Sequence, residues 1–261
     1  MSAEPENALE QALRLAAQAP AERPAFIRTL LESEVLVIGH GEQHLGGQVA
    51  AGDKLRLQHW QKPDGTAVLP FFTSVEVLAQ SIEREEQYLS FNARALFEMT
   101  RGATLVLNPR SPYGKEFVPH EIEQILTHGS SHSAQRHVVQ EPTQVLLGQP
   151  KDYPDALVAA LTALLAKHAN VQQAFLALMH DASRTPAQSL LVGLEVSGDP
   201  QTVLQDAGSV ATDTAPQGMA VDLVLVSPEE NSGLSQHFYS EVEPFYRKPK
   251  SLWARLRSQW A

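Results

Sequence analysis

The chain has 261 residues, enough for one large domain or two ordinary ones, and its 43% apolar and 19% charged side chains place it among chains that fold around a core. It contains no cysteine, which excludes disulfides and thiol catalysis and leaves only histidine and carboxylates for a zinc site. The formal net charge of −10 is divided unevenly: residues 1–246 carry 15 basic and 30 acidic side chains, net −15, while residues 247–261 carry five basic and no acidic ones.

So acidic a body repels nucleic acid and anionic lipid, whereas the last fifteen residues attract them, or an acidic protein surface. The first residues, MSAEPENALE, lack the basic start and apolar core of a signal peptide. No apolar run approaches the ~18 residues of a membrane span. We therefore expect a soluble cytoplasmic protein with no stable membrane insertion and no nucleic-acid partner.

In chain order, residues 4–18 carry Leu9, Ala12, Leu13 and Ala16 on one helical face. Pro20 ends that helix, and Pro24 suits the first turn of another over 25–31. Residues 34–38 form an apolar strand, and the glycines from Gly39 to Gly52 a long loop. Residues 54–61 alternate as a strand. Pro63-Asp64-Gly65 turns the chain directly into a second strand over 66–72, which predicts a hairpin.

The stretch 66–119 organises the first half. Its strand ends at Thr73-Ser74, where Ser74 can cap the helix that follows. A second helical piece covers 91–101, with Gly102 as its cap. Residues 103–107 lack alternation and are expected to be buried on both faces, in mid-sheet. That strand stops at Asn108-Pro109. An edge strand over 115–118 and a helix from Pro119 to about 126 complete the set.

Residues 127–140 are polar and unpatterned and read as a linker. The second half gives strand 143–147, helix 152–168, strand 171–179, strand 189–196, helix 200–208 and strand 219–226. That order, β-α-β-β-α-β, is the split ferredoxin-like arrangement. A helix over 231–239 follows. The fold class is α/β (α+β) in two domains: 1–126, a mixed sheet with helices; a linker, 127–140; then 141–246, with a basic amphipathic tail, 247–261.

Chemistry-bearing patterns are sparse. No Gly-x-Ser-x-Gly elbow, phosphate loop or dinucleotide fingerprint is present. His40 and His44 flank Glu42 but sit among glycines, and His128, His132 and His137 fall in the linker without a readable supporting shell. No metal site, cofactor or catalytic residue is assigned. Parallel sheets place ligands beyond their strand C-termini. Phe72, Thr73, Ser74, Asn108 and Pro109 therefore mark a corner that either binds a ligand or simply caps a helix and turns the chain.

Pro70-Phe71-Phe72-Thr73-Ser74, then Leu107-Asn108-Pro109 and Gly114, resembles the N-terminal domain of the SseB, or enhanced serine sensitivity, family. The half that closes with Glu243-Pro244-Phe245-Tyr246 resembles that family's C-terminal domain. The resemblance implies a link to serine sensitivity on overexpression and supplies no catalytic residues. The expected function is a non-enzymatic protein that binds a protein partner. The alternative is a sensor of a small molecule, an amino acid, at the Thr73/Asn108 corner. The tail offers Arg247, Lys248, Lys250, Trp253, Arg255, Leu256, Arg257 and Trp260 for docking. Leu252, Leu256 and Trp260 share one helical stripe over 251–261. Its surface is an acidic partner, the chain's own body or, third, an anionic membrane.

Overall fold

The computed structural model describes residues 6–41, 55–129, 145–183, 185 and 187–249. The chain divides into two units, Met1–Ser133 and Ala134–Ala261. Each has helices and a mixed sheet, so the class is α+β.

The first unit opens with helices α1 (Ala8–Gln18) and α2 (Arg23–Glu32), separated by a short 3-10 turn at Pro20–Glu22. Strands β1 (Glu34–Gly41), β2 (Leu55–Leu57), β3 (Trp60–Gln61) and β4 (Ala67–Phe72) follow. Then come α3 (Val75–Ser81), β5 (Tyr88–Asn92), α4 (Ala93–Met99), β6 (Leu105–Leu107), β7 (Lys115–Phe117) and α5 (Pro119–His128). The sheet order is β2-β1-β4-β6-β7, with β3 on β4 and β5 on β1. Among the described residues of this unit only β4 and β6 run parallel, and the other pairs are antiparallel.

Alternation on the strands sorts the core. Val35, Val37, Leu69, Phe71, Leu105 and Leu107 pack with Leu13, Phe26, Leu30, Phe97 and Ile122 of the helices. A smaller cluster, Ile38, Phe72 and Leu78, closes with Trp60 on it.

Four expectations are corrected. The predicted strand 54–61 breaks at Gln58-His59: β3 makes the hairpin with β4, but β2 pairs with the end of β1. Gly39 makes that pairing possible, because a Cβ there would lie 2.4 Å from the Arg56 carbonyl oxygen. β5 was hidden between two helical readings, though Tyr88-Leu89-Ser90-Phe91 alternates. Val106 is only half-buried, between fully buried Leu105 and Leu107, because β6 has β4 and β7 beside it but its second face is thinly covered. Helix α5 also runs on to His128, into the expected linker, and ends on left-handed Gly129.

The second unit comprises β8 (Leu146–Gly148), α6 (Asp155–Leu165), β9 (Val171–His180), β10 (Gln188–Val196), α7 (Gln201–Thr214), β11 (Ala220–Leu225), α8 (Gly233–Glu241) and β12 (Tyr246–Arg247). The element order β-α-β-β-α-β is present. Its spatial order is β11-β10-β9, with β8 and β12 both antiparallel on the other edge of β9. The two crossovers therefore do not interleave: β10 and β11 are direct parallel neighbours. That corrects the ferredoxin-like detail. Phe175, Ala177, Met179 and Leu191 on one sheet face pack against Phe238 of α8. Gly193 is needed beneath that ring, since a Cβ there would meet it at 3.0 Å. Among the described residues no helix is long and apolar enough to cross a membrane.

Candidate functional site

Two places gather polar side chains, one in each unit. The first is the corner beyond β4 and β6. Parallel pairing of Leu69–Phe71 with Leu105–Leu107 carries both strands out at the same end, so Thr73 and Asn108 meet there. Asn108 extends the ladder by donating its backbone N–H to the Phe71 carbonyl at 2.9 Å. It then turns left-handed, φ 49°, a conformation asparagine tolerates better than most residues. The Thr73 backbone N–H donates to Asn108 Oδ1 at 3.1 Å, and Asn108 Nδ2 donates to Thr73 Oγ1 at 3.0 Å. Both residues are buried. Gly114 closes the turn from behind, where a Cβ would come within 2.9 Å of the Asn108 carbonyl oxygen.

Glu10 of α1 finishes this corner. Its Oε1 accepts from Thr73 Oγ1 and from Ser74 Oγ, each at 2.8 Å. Oε2 accepts from the Asn7 backbone N–H at 3.2 Å, and the Glu10 N–H donates to Asn7 Oδ1 at 2.9 Å, a reciprocal capping box. Asn7 Nδ2 donates to the Thr73 carbonyl at 3.1 Å. Ser74 also caps α3, accepting from the Val77 N–H at 3.3 Å. Phe72 is a core residue and Pro109 is half-buried. The corner's hydroxyls, amides and carboxylate thus spend their hydrogen bonds on one another. Asn7-x-x-Glu10 is visible in the sequence as a cap; nothing local signals that Glu10 also reaches sixty residues ahead.

The second place is an open groove of about 350 Å³, lined by Gln173, Phe175, Tyr239, Glu241, Val242, Glu243, Pro244 and Arg247 among others. Register builds it. Gln173 on β9 faces Glu195 on β10 and Arg247 on β12, so the three stand side by side across three strands. Gln173 Nε2 donates to Glu195 Oε2 at 3.1 Å, and Tyr239 Oη donates to the same oxygen at 2.7 Å. Burial, reinforced by the hydrogen bond to Glu195 and its charge, pushes the Tyr239 phenol well above the usual tyrosine range. It stays a donor to Glu195. The Phe175 and Tyr239 rings meet edge-on beneath the groove, 5.1 Å between centroids, with Phe175 itself buried. Glu241 and Glu243 stand exposed at its rim, and Arg247 donates to Glu243 at 3.2 Å. Sequence reading missed Gln173, Glu195 and Tyr239, because strand register brings the first two together and packing of α8 on the sheet brings the third.

Arg247 and Lys248, expected in the tail, belong to the body. β12 holds Arg247 against β9, and the Lys248 N–H donates to the Gln172 carbonyl at 2.8 Å. Lys250, Trp253, Arg255, Leu256, Arg257 and Trp260 lie outside the described residues, as do His44, His132 and His137. Among the described residues no three His, Asp or Glu side chains gather to hold a metal ion.

These features define a two-domain α+β protein, and the comparisons assign the class. The SseB protein N-terminal domain matches residues 9–124 and the SseB protein C-terminal domain matches residues 139–248, so the chain belongs to the SseB family. It is similar to Protein SseB of Escherichia coli (strain K12) and to Protein SseB of Shigella flexneri. Each is 39% identical over 245 residues, which cover 94% of this chain and 93% of the relative. No solved structure matches.

Proposed function

We propose that this SseB-family chain is a non-enzymatic cytoplasmic protein that acts by binding another protein through its basic end, and that serine sensitivity follows from that binding. The division of charge carries the reading. A net −15 over residues 1–246 meets a segment, 247–261, with five cations, no acidic side chain and two tryptophans. Tryptophan and arginine are the residue types that dominate binding energy at protein interfaces. The position of β12 supports it, because the segment leaves from a fixed place on the edge of the β9 sheet. The amino-acid sensor at Thr73/Asn108 has no comparable support, since those groups bond one another.

The test compares the full chain with a truncation lacking residues 250–261, which leaves β12 intact. Each is used as bait with chemical crosslinking, and captured proteins are identified by mass spectrometry. The truncation should lose a specific acidic partner while remaining folded by circular dichroism. An identical captured set from both baits overturns the reading. The domain division is part of the proposal: limited proteolysis should cut first within the 127–140 linker, past the end of α5, and a first cut inside the 66–119 stretch would refute it.

A further inference from the structure

We infer that residues 250–261 fold back onto the acidic groove of their own second unit, so that the groove is the resting seat of the basic end and a partner must compete for it. This deepens the binding reading above by naming the surface that regulates it.

Charge complementarity is the first argument. Glu241 at the rim, Glu243 beside it with Arg247 on one oxygen, and Glu195 below are opposite in charge to Lys250, Arg255 and Arg257 of the segment. The second is the shape of the groove. The lining is mainly polar, and half-buried Tyr239, Val242 and Pro244 leave only a small apolar patch beside those carboxylates. Leu252, Leu256, Trp260 and Trp253 offer an apolar stripe between cations. Arginine and carboxylate can pair while the indole is removed from water. The third is position. Arg247 already lines the groove and pairs with Glu243, so the segment starts where it would dock. Trp253 is six residues on, within a reach of about 20 Å for extended chain. The tether keeps the effective concentration high, so weak contacts suffice. A helix of about a dozen residues is marginal alone in water and needs such a surface. At about 350 Å³ the groove is at the small end of ligand pockets, fit for one large side chain.

The chain has three tryptophans, Trp60, Trp253 and Trp260. In full-length Trp60→Phe protein, emission therefore reports the end segment alone. We expect blue-shifted emission, quenched by acrylamide at least about two-fold less than a free peptide of residues 250–261. Glu241→Lys with Glu243→Lys should restore peptide-like quenching and red-shift the emission. Asp152→Lys with Glu229→Lys changes net charge equally, away from the groove, and should leave the protection intact. In trans, the peptide should bind the truncated body, and Glu241→Gln with Glu243→Gln should weaken it about five- to ten-fold at low salt. Circular dichroism checks that each variant is folded.

Quenching equal to that of the free peptide overturns the proposal. So does protection that survives the groove variant, which would place the segment elsewhere. Protection that disappears on dilution, with a dimer by sedimentation, would make the occupant the end of a second copy and equally overturns it. None of these results depends on partner capture, so failure here leaves the binding reading standing, and the reverse.

Discussion

The corner of the first unit and the groove of the second use the same kinds of groups to opposite ends. At the corner, one carboxylate takes two hydroxyls and a backbone N–H, and an asparagine takes a buried backbone N–H. In the groove, the carboxylate of Glu195 is held from one side by Gln173 and Tyr239, and Glu241 and Glu243 remain exposed. The difference shows why polar residues at strand ends are weak evidence of a ligand. A cluster can exist to satisfy buried backbone, and then it is internally complete. A cluster left open to solvent, with apolar surface beside it, is where an outside group can add something.

The contrast breaks first at Asn108. Asn108→Ala strands the buried Thr73 N–H and forces alanine into a left-handed turn. We expect a loss of about 3 kcal/mol in chemical denaturation of the full chain carrying Trp253→Phe and Trp260→Phe, in which fluorescence reports Trp60. Asn108→Gly relieves only the backbone and should recover about 1 kcal/mol of it. Gly114→Ala presses on a backbone carbonyl that cannot rotate away, and should cost about 2 kcal/mol. If these variants are as stable as the parent, the corner is not a structural knot and the ligand reading regains ground.

Glu10 tests how complete that knot is. Glu10→Ala leaves two hydroxyl donors and one cap donor without their acceptor, and we expect a loss of about 2 kcal/mol. Glu10→Gln retains an acceptor without the charge and should lose about half of that. A Glu10→Ala protein of unchanged stability that gains affinity for a free amino acid, read as a raised melting temperature, would show Glu10 to be a plug rather than a strut.

Much of this was legible in sequence, and the reasons for the misses are particular. The parallel β4/β6 pair showed because its apolar runs end on Thr73-Ser74 and Asn108-Pro109, and those ends predict that Thr73 and Asn108 meet. β5 escaped because five residues of alternation between two helical patterns weigh little locally, and only pairing with β1 makes Tyr88–Asn92 a strand. Val106 was over-buried because an apolar run cannot say whether a layer covers its second face. The groove was unreadable, because Gln173, Glu195 and Arg247 meet through register and Tyr239 reaches them only as α8 packs on the sheet. Composition revealed the basic end at once, yet placed its start one strand too early.

The finest test lies in the proton of Tyr239. The folded phenol, buried and bonded to Glu195, keeps its proton to higher pH than the unfolded one. Its contribution to stability is therefore complete below the unfolded value of about 10 and is lost as pH rises past it. Tyr239→Phe removes the hydrogen bond to a carboxylate. The group is only partly buried, so we expect a loss of about 1 kcal/mol at neutral pH. Above pH 10 the unfolded parent gives up a proton that the folded parent holds, and the phenylalanine variant has none to lose. The gap between the two proteins should therefore narrow with rising pH, while the other tyrosines and the lysines titrate alike in both and cancel. A gap that stays constant, or widens, through the alkaline range would mean that Tyr239 does not anchor Glu195. The groove would then lack the fixed carboxylate on which its contrast with the corner depends.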